Sequence, residues 1–196
     1  MKKIWIVLLV ILGVVFFAAL SLAGAYNTLV KMDEGVNQAW AQVENVYQRR
    51  LDLIPNLVET VKGYAAHENS TFVEVTEARS RAAGSLSREA INDPKRFAEL
   101  EASQGALSSA LSRLLVVVEK YPDLKANENF LSLQAQLEGT ENRISVERGR
   151  FNEAAQAFNT TVRQFPQSLV GAMFGFHAKE YFKSQPEARN APVVKF

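Results

Sequence analysis

The chain has no cysteine and only two histidines among its 196 residues. Without thiols it forms no disulfide, binds no metal through thiolates and has no cysteine nucleophile. It also carries no lipidated cysteine, although "LSLAGAY" at 20–26 has the small residues of a lipid-attachment site. The two histidines are His67 and His177, preceded at three residues by Tyr64 and Phe174, so the Glu-x-x-His pairs of di-iron and di-manganese bundles are absent. Thr71 stands where a zincin would need its second histidine, and His67-Glu68 then reads as a solvated turn or helix start. The ten glycines make no phosphate loop, no dinucleotide fingerprint and no G-x-S-x-G elbow. Charge is nearly balanced, 22 Lys+Arg against 21 Asp+Glu, and no block of one sign is long enough to track a phosphate backbone. Nucleic acid is therefore not an expected partner. No cofactor is called for, no strand pattern competes anywhere, and no internal repeat is visible.

What the chain does have is a long apolar start. After Lys2 and Lys3, the residues from Ile4 to Ala25 carry no charge, and the next one is Lys31. Twenty-two helical residues reach roughly 33 Å, enough to cross a hydrocarbon core of about 30 Å. A cleaved signal peptide is the rival, favoured by Ala23-Gly24-Ala25 but opposed by the length of the run. Two lysines ahead of the span against one close behind it put the N-terminus in the cytoplasm and the body outside.

From Tyr26 onward the apolar residues fall on a seven-residue repeat. One row is Leu29, Val36, Val43, Arg50, Leu57 and Tyr64; the other is Tyr26, Asp33, Trp40, Tyr47, Ile54 and Val61. Both keep phase through Pro55, so the proline is expected to bend one long helix and not to end it. A second helix is expected over about 70–83, a third carries Phe97, Leu100, Gln104, Leu107, Leu111, Leu114, Val118 and Tyr121, and a fourth carries Phe130, Leu137, Ile144, Phe151, Phe158 and Phe165. The fold expected is all-α: an antiparallel four-helix bundle with long coiled-coil-like helices, preceded by one N-terminal transmembrane helix. The divisions are 1–25 for the anchor, 26–166 for the bundle, and 167–196 for a membrane-proximal segment and tail.

Two charges interrupt the heptads. Asp33 and Arg50 stand where large apolar residues otherwise recur, and each needs a partner or water. In an antiparallel pairing of the first and last helices Arg50 falls level with Glu141, so Glu138, Glu141 or Glu147 is its expected partner; snorkelling to solvent is the alternative. A third feature follows the last helix, where "PQSLVGAMFGFHAKEYF" at 166–182 mixes aromatic and apolar residues with lysine. Phe174, Phe176, Lys179, Tyr181 and Phe182 suit a lipid interface or a partner's docking patch, or else they close the end of the bundle. The tail "SQPEARNAPVVKF" is expected to lack regular structure.

The stretch from Tyr26 to Glu68, above all Trp40-Ala41-Gln42-Val43-Glu44, Tyr47-Gln48-Arg49-Arg50 and Asp52-Leu53-Ile54-Pro55-Asn56-Leu57-Val58, closely resembles the signature region of the LemA family, and "RFNEAAQAFNTTVRQFP" at 150–166 resembles its second marked stretch. The resemblance implies a bacterial protein with a single N-terminal span and a helical bundle, in the cytoplasmic membrane, near other envelope proteins and membrane metalloproteases. It implies no catalytic activity. The function expected is a non-catalytic, membrane-anchored scaffold or adaptor whose partners are the lipid bilayer, envelope membrane proteins or a second copy of the chain. The contrasting hypothesis is a hydrolase or metal enzyme with a carboxylate site, which an interior cluster of carboxylates would favour.

Overall fold

The computed structural model describes residues 2–183; the tail from 184 lies outside them. Nothing between Ala25 and Tyr26 stops a helix, and none stops. Lys2–Lys62 form one continuous helix, α1, of 61 residues, so the apolar span and the first body helix are a single element. Its first part is exposed along its length, whereas from Ala25 the heptad rows turn inward: Leu29, Val36, Trp40, Val43, Tyr47, Ile54, Leu57 and Val61 are all buried. Pro55 sits inside α1. It has no N–H for the carbonyl of Leu51, and that acceptor is taken from outside the helix by Arg79, whose Nε donates to it at 2.8 Å.

Arg79 belongs to α2, Asn69–Ser85, which pairs with α3, Pro94–Val118. They run antiparallel: Arg113 bonds Glu74 near one end and Ser85 bonds Ser103 near the other. The link between them contains a 3-10 helix, Arg88–Asn92, because Ala90 and Ile91 are apolar enough to be drawn into the core. Asp93 then caps α3, its Oδ1 accepting from the N–H groups of Lys95 and Arg96, with Pro94 in the first turn. The next link holds a one-turn helix, α4, Pro122–Lys125, pinned by buried Leu124. Asn127 opens α5, Glu128–Val162, by accepting from Phe130 N.

α5 returns along α1. Trp40 packs on Phe151, Arg50 meets Glu141, and Tyr64 accepts a hydrogen bond from Asn127, so equal steps up one helix match equal steps down the other. The core lies in two apolar bodies. One gathers Leu29, Trp40, Tyr47, Phe97, Phe151 and Phe158 on the side of the N-terminal span, the other Leu51, Ile54, Leu57, Phe72, Leu107 and Phe130 at the far end. Each such side chain contributes about 1.5–3 kcal/mol by leaving water.

The last heptad step departs from expectation. The repeat puts Phe165 at the end of the fourth helix's seam beside Tyr26, but α5 stops at Val162 and Phe165 is 80% exposed. Pro166 pushes the residue before it off helical angles, so the repeat loses its phase before it reaches Phe165. A short helix, α6, Gln167–Phe174, follows, and Phe174 and Phe176 take the place beside Tyr26, with ring centroids 4.9 and 6.0 Å away. Gly171 permits the approach of α6 to α5, since a Cβ there would lie 2.8 Å from Val162 Cγ2. Gly175, with φ at 76°, ends α6 in the left-handed conformation that glycine alone adopts cheaply.

Candidate functional site

Between the two apolar bodies lies a polar layer centred on Arg50, which is 3% exposed although charged. Its Nη1 donates to Glu141 Oε2 at 2.8 Å and to Ser108 Oγ at 3.2 Å, and its Nη2 donates to Gln104 Oε1. Gln104 in turn reaches the carbonyl of Ala82 at 3.4 Å. One side chain from α1 is thereby tied to α3 and α5 directly, and through Gln104 to α2. Tyr47 lies one turn away, its ring centroid 5.4 Å from the guanidinium, and burial pushes its phenol above the ordinary value, away from the neutral range where proton transfer is efficient.

A cleft of about 240 Å³ opens from this layer between α3 and α5. Leu57, Leu111, Leu115 and Leu137 wall it, while Arg50 and Glu141 supply its polar end. Glu138 also lines the cleft, so two carboxylates face one arginine whose charge Glu141 already neutralises, and arginine keeps its proton in proteins, so Arg50 offers neither a free cation nor a proton shuttle. No group of three or more His, Asp or Glu side chains that could hold a metal ion is gathered among the described residues.

The second constellation is a strap, the segment from Gly175 to Lys183 that lies across α5. Asn159 holds the backbone of Lys179 by both faces of its amide: Lys179 N donates to Oδ1 at 2.7 Å and Nδ2 donates to Lys179 O at 2.9 Å. Seven residues earlier Asn152 does the same for Phe182, at 2.9 Å in each direction. Seven helical residues rise about 10.5 Å, close to the span of three extended residues, so the two ladders match. Glu101 accepts from Lys183 N at 3.1 Å, and Arg148 donates to Lys183 O at 3.0 Å while its guanidinium covers the Phe182 ring.

These contacts separate the residues expected on a membrane or partner surface. Phe182 is buried against Trp40, Phe97 and Phe151, and Lys179 is buried too, its Nζ on Asp33 Oδ1 and Asn92 Oδ1, each at 2.7 Å, above the Phe158 ring. Neither faces outward, because the asparagine pairs turn every third strap residue into the fold. Phe176 is half-buried on the same side. Tyr181 and Phe174 are exposed. Asp33, half-buried, has Lys179 as its partner, a pairing that the heptads give no means of finding, and Arg50 and Glu141 meet as described. Sequence reasoning misses Asn152, Asn159, Asn92, Arg148 and the hydrogen bonds of Gln104. The one available signal is a Phe-Asn pair repeated at 151–152 and 158–159, one heptad apart.

The pattern of the LemA family matches residues 39–196. Magnetosome protein MamQ 2 of Paramagnetospirillum magneticum is similar at 29% identity over 94% of this chain and 73% of its own length. Magnetosome protein MamQ of Magnetospirillum gryphiswaldense is 27% identical over 86% of this chain and 68% of its own. Protein LemA of Metamycoplasma hominis is 23% identical over 93% of this chain and 80% of its own. None of these names denotes a catalysed reaction. With the family pattern covering the polar layer, the cleft and the strap alike, the chain belongs to the LemA family.

Proposed function

We propose that the chain is a non-catalytic scaffold of the bacterial cytoplasmic membrane, a single-pass protein whose antiparallel four-helix bundle stands outside the cytoplasm and presents helical surfaces to envelope membrane proteins. The observation that carries this is α1: one helix in which residues 4–24 are uncharged and exposed while the part from Ala25 on is the spine of the core. Such a helix has to leave water at one end and hold a folded body at the other. The anchor at 1–25, the bundle at 26–166 and the segment from 167 then divide the labour. Among the described residues the interior is apolar except for Arg50, Gln104, Thr140, Asn159 and Lys179, which supports structure over chemistry. The partner class implied is a membrane protein of the same compartment, a membrane metalloprotease among them.

Photo-crosslinking in intact membranes tests the proposal. The probe replaces Val116 or Val146, exposed residues of α3 and α5, in the full chain. Discrete adducts, identified by mass spectrometry as one or a few envelope proteins, support a scaffold. Adducts only at twice the chain's mass mean self-association, and no protein adduct at either site sinks the adaptor role.

A further inference from the structure

The corner between α5 and α6 carries an apolar surface that the fold does not cover. From Gln164 to Phe176 there is no charged residue. Phe165 is 80% exposed, Met173 73%, Phe174 60% and Leu169 51%. A contiguous patch of this kind marks an interaction surface, and its neighbour indicates which. Across an open slot of about 650 Å³ from Phe165, Pro166 and Leu169 lies one face of α1, running from Val10 through Val14 and Phe17 to Leu22. Below Ala25 and Leu29 the same face continues without a protein partner, so the slot is the core seam carried on into the span.

Its dimensions are those of a lipid leaflet. Val10 to Leu22 covers about 18 Å of helix, against about 15 Å for half of a hydrocarbon core. The slot cannot close by letting α6 lean onto α1, because α6 is fixed from behind: Val170 is buried in the core, Gly171 abuts Val162, and Gly175 caps the helix. The nearest charges before the corner and after the span, Arg163 and Lys31, are exposed and sit at the level where basic residues meet headgroup phosphates.

We propose that the α5–α6 corner is inserted in the leaflet on the body's side of the bilayer, and that an acyl chain of that leaflet fills the slot between α6 and α1. The inference rests on the membrane-anchored reading above and adds a second, monotopic attachment to the span. The C-terminal region then has two faces with different duties, Phe165, Leu169, Met173 and Phe174 meeting lipid while Phe176, Lys179 and Phe182 close the core.

The absence of cysteine makes the test direct. Single cysteines at 165, 169, 173 or 174 in the full chain are labelled with a small polarity-sensitive fluorophore and reconstituted in vesicles of phosphatidylcholine and phosphatidylglycerol. Controls are Val14→Cys in the span and Val116→Cys at the far end of the body. Quenching is compared between aqueous iodide and nitroxides fixed near the headgroup or near the middle of an acyl chain. The expected result is that labels at 165, 169 and 173 are shielded from iodide several-fold relative to 116 and quenched by the mid-chain nitroxide. At 174, level with Tyr26, the shallow nitroxide should be the stronger quencher. Iodide access at 165 and 169 equal to that at 116, with 14 still shielded, would overturn the insertion and leave the anchor standing. Iodide access at 14 as well would remove the anchor and this inference together. Shielding at 165 and 169 without nitroxide quenching would mean that protein, a second copy's span, occupies the slot, and would overturn the acyl occupant.

Discussion

Arg50 and Glu141 meet at 2.8 Å, yet they are not equal partners: the arginine is 3% exposed and the glutamate side chain 51%. Taking away Glu141 strands a buried cation, whereas taking away Arg50 leaves a carboxylate free to turn to water and two acceptors unmade, of which half-buried Ser108 can reach water and buried Gln104 cannot. We therefore expect Glu141→Ala to destabilise by about 2 kcal/mol, below the usual figure for a broken buried pair because half of Glu141 is screened. Arg50→Met should cost about 1–2 kcal/mol through Gln104, and Arg50→Met with Gln104→Leu should recover most of that loss. Denaturant titration of the purified chain in detergent measures all three; a double variant no better than Arg50→Met alone would show that Gln104 is not the reason for the loss. Tyr47 adds a pH dependence. Its buried phenol keeps the proton longer than the unfolded one, which ionises near pH 10, so its contribution is intact below pH 10 and is lost as the pH climbs toward the higher folded value. Tyr47→Phe should flatten that alkaline fall, seen as a smaller drop in Tm between about pH 9 and about pH 11.

Among the elements, α1 at Pro55 gives the sharpest test of how two helices depend on one another. Arg79 of α2 supplies the hydrogen bond that proline denies to Leu51. Arg79→Met should destabilise by about 1–3 kcal/mol, and by clearly less when Pro55→Ala restores an N–H inside α1. Equal losses in the two backgrounds would show that Arg79 acts elsewhere. The strap allows a parallel experiment. Asn159→Leu leaves the N–H and C=O of buried Lys179 unpaired, so the strap should open, with faster amide exchange over 176–183 and little change in α5. Such contacts also mark where sequence stops being legible. The helices can be read because burial on a helix repeats along the chain, and Trp40, Ile54, Phe151 and Phe158 each repeat in phase. The strap's inward step of three belongs to no helix or strand repeat: its side chains turn inward because two asparagines on another element fix its backbone, and only the fold brings Asn159 to Lys179. Phe165 fails for the converse reason, since it keeps the repeat on paper after Pro166 has ended the helix that gave the repeat its meaning.

For the whole molecule, orientation has the widest reach. If Lys2 and Lys3 hold the N-terminus in the cytoplasm, a reporter active only in the cytoplasm and fused after Phe196 stays silent, while one active only outside gives signal. The opposite pattern would invert every statement about the body's compartment, though not the insertion of α6, which follows the body to whichever side it lies. The unbroken α1 has a mechanical consequence as well. With the anchored reading proposed above, no hinge would separate membrane from body, and the protein would be a lever with its fulcrum in the bilayer. About 55 Å of α1 projects beyond Ala25, and a span tilted by about 20°, ordinary for a single helix, would swing the far end by about 19 Å. Local thinning or thickening of the membrane, which changes tilt by mismatch, would then be converted into lateral travel of the distal loops around His67 and Leu124, and a wedge of lipid held between α6 and the span would act as the stop that sets the resting angle.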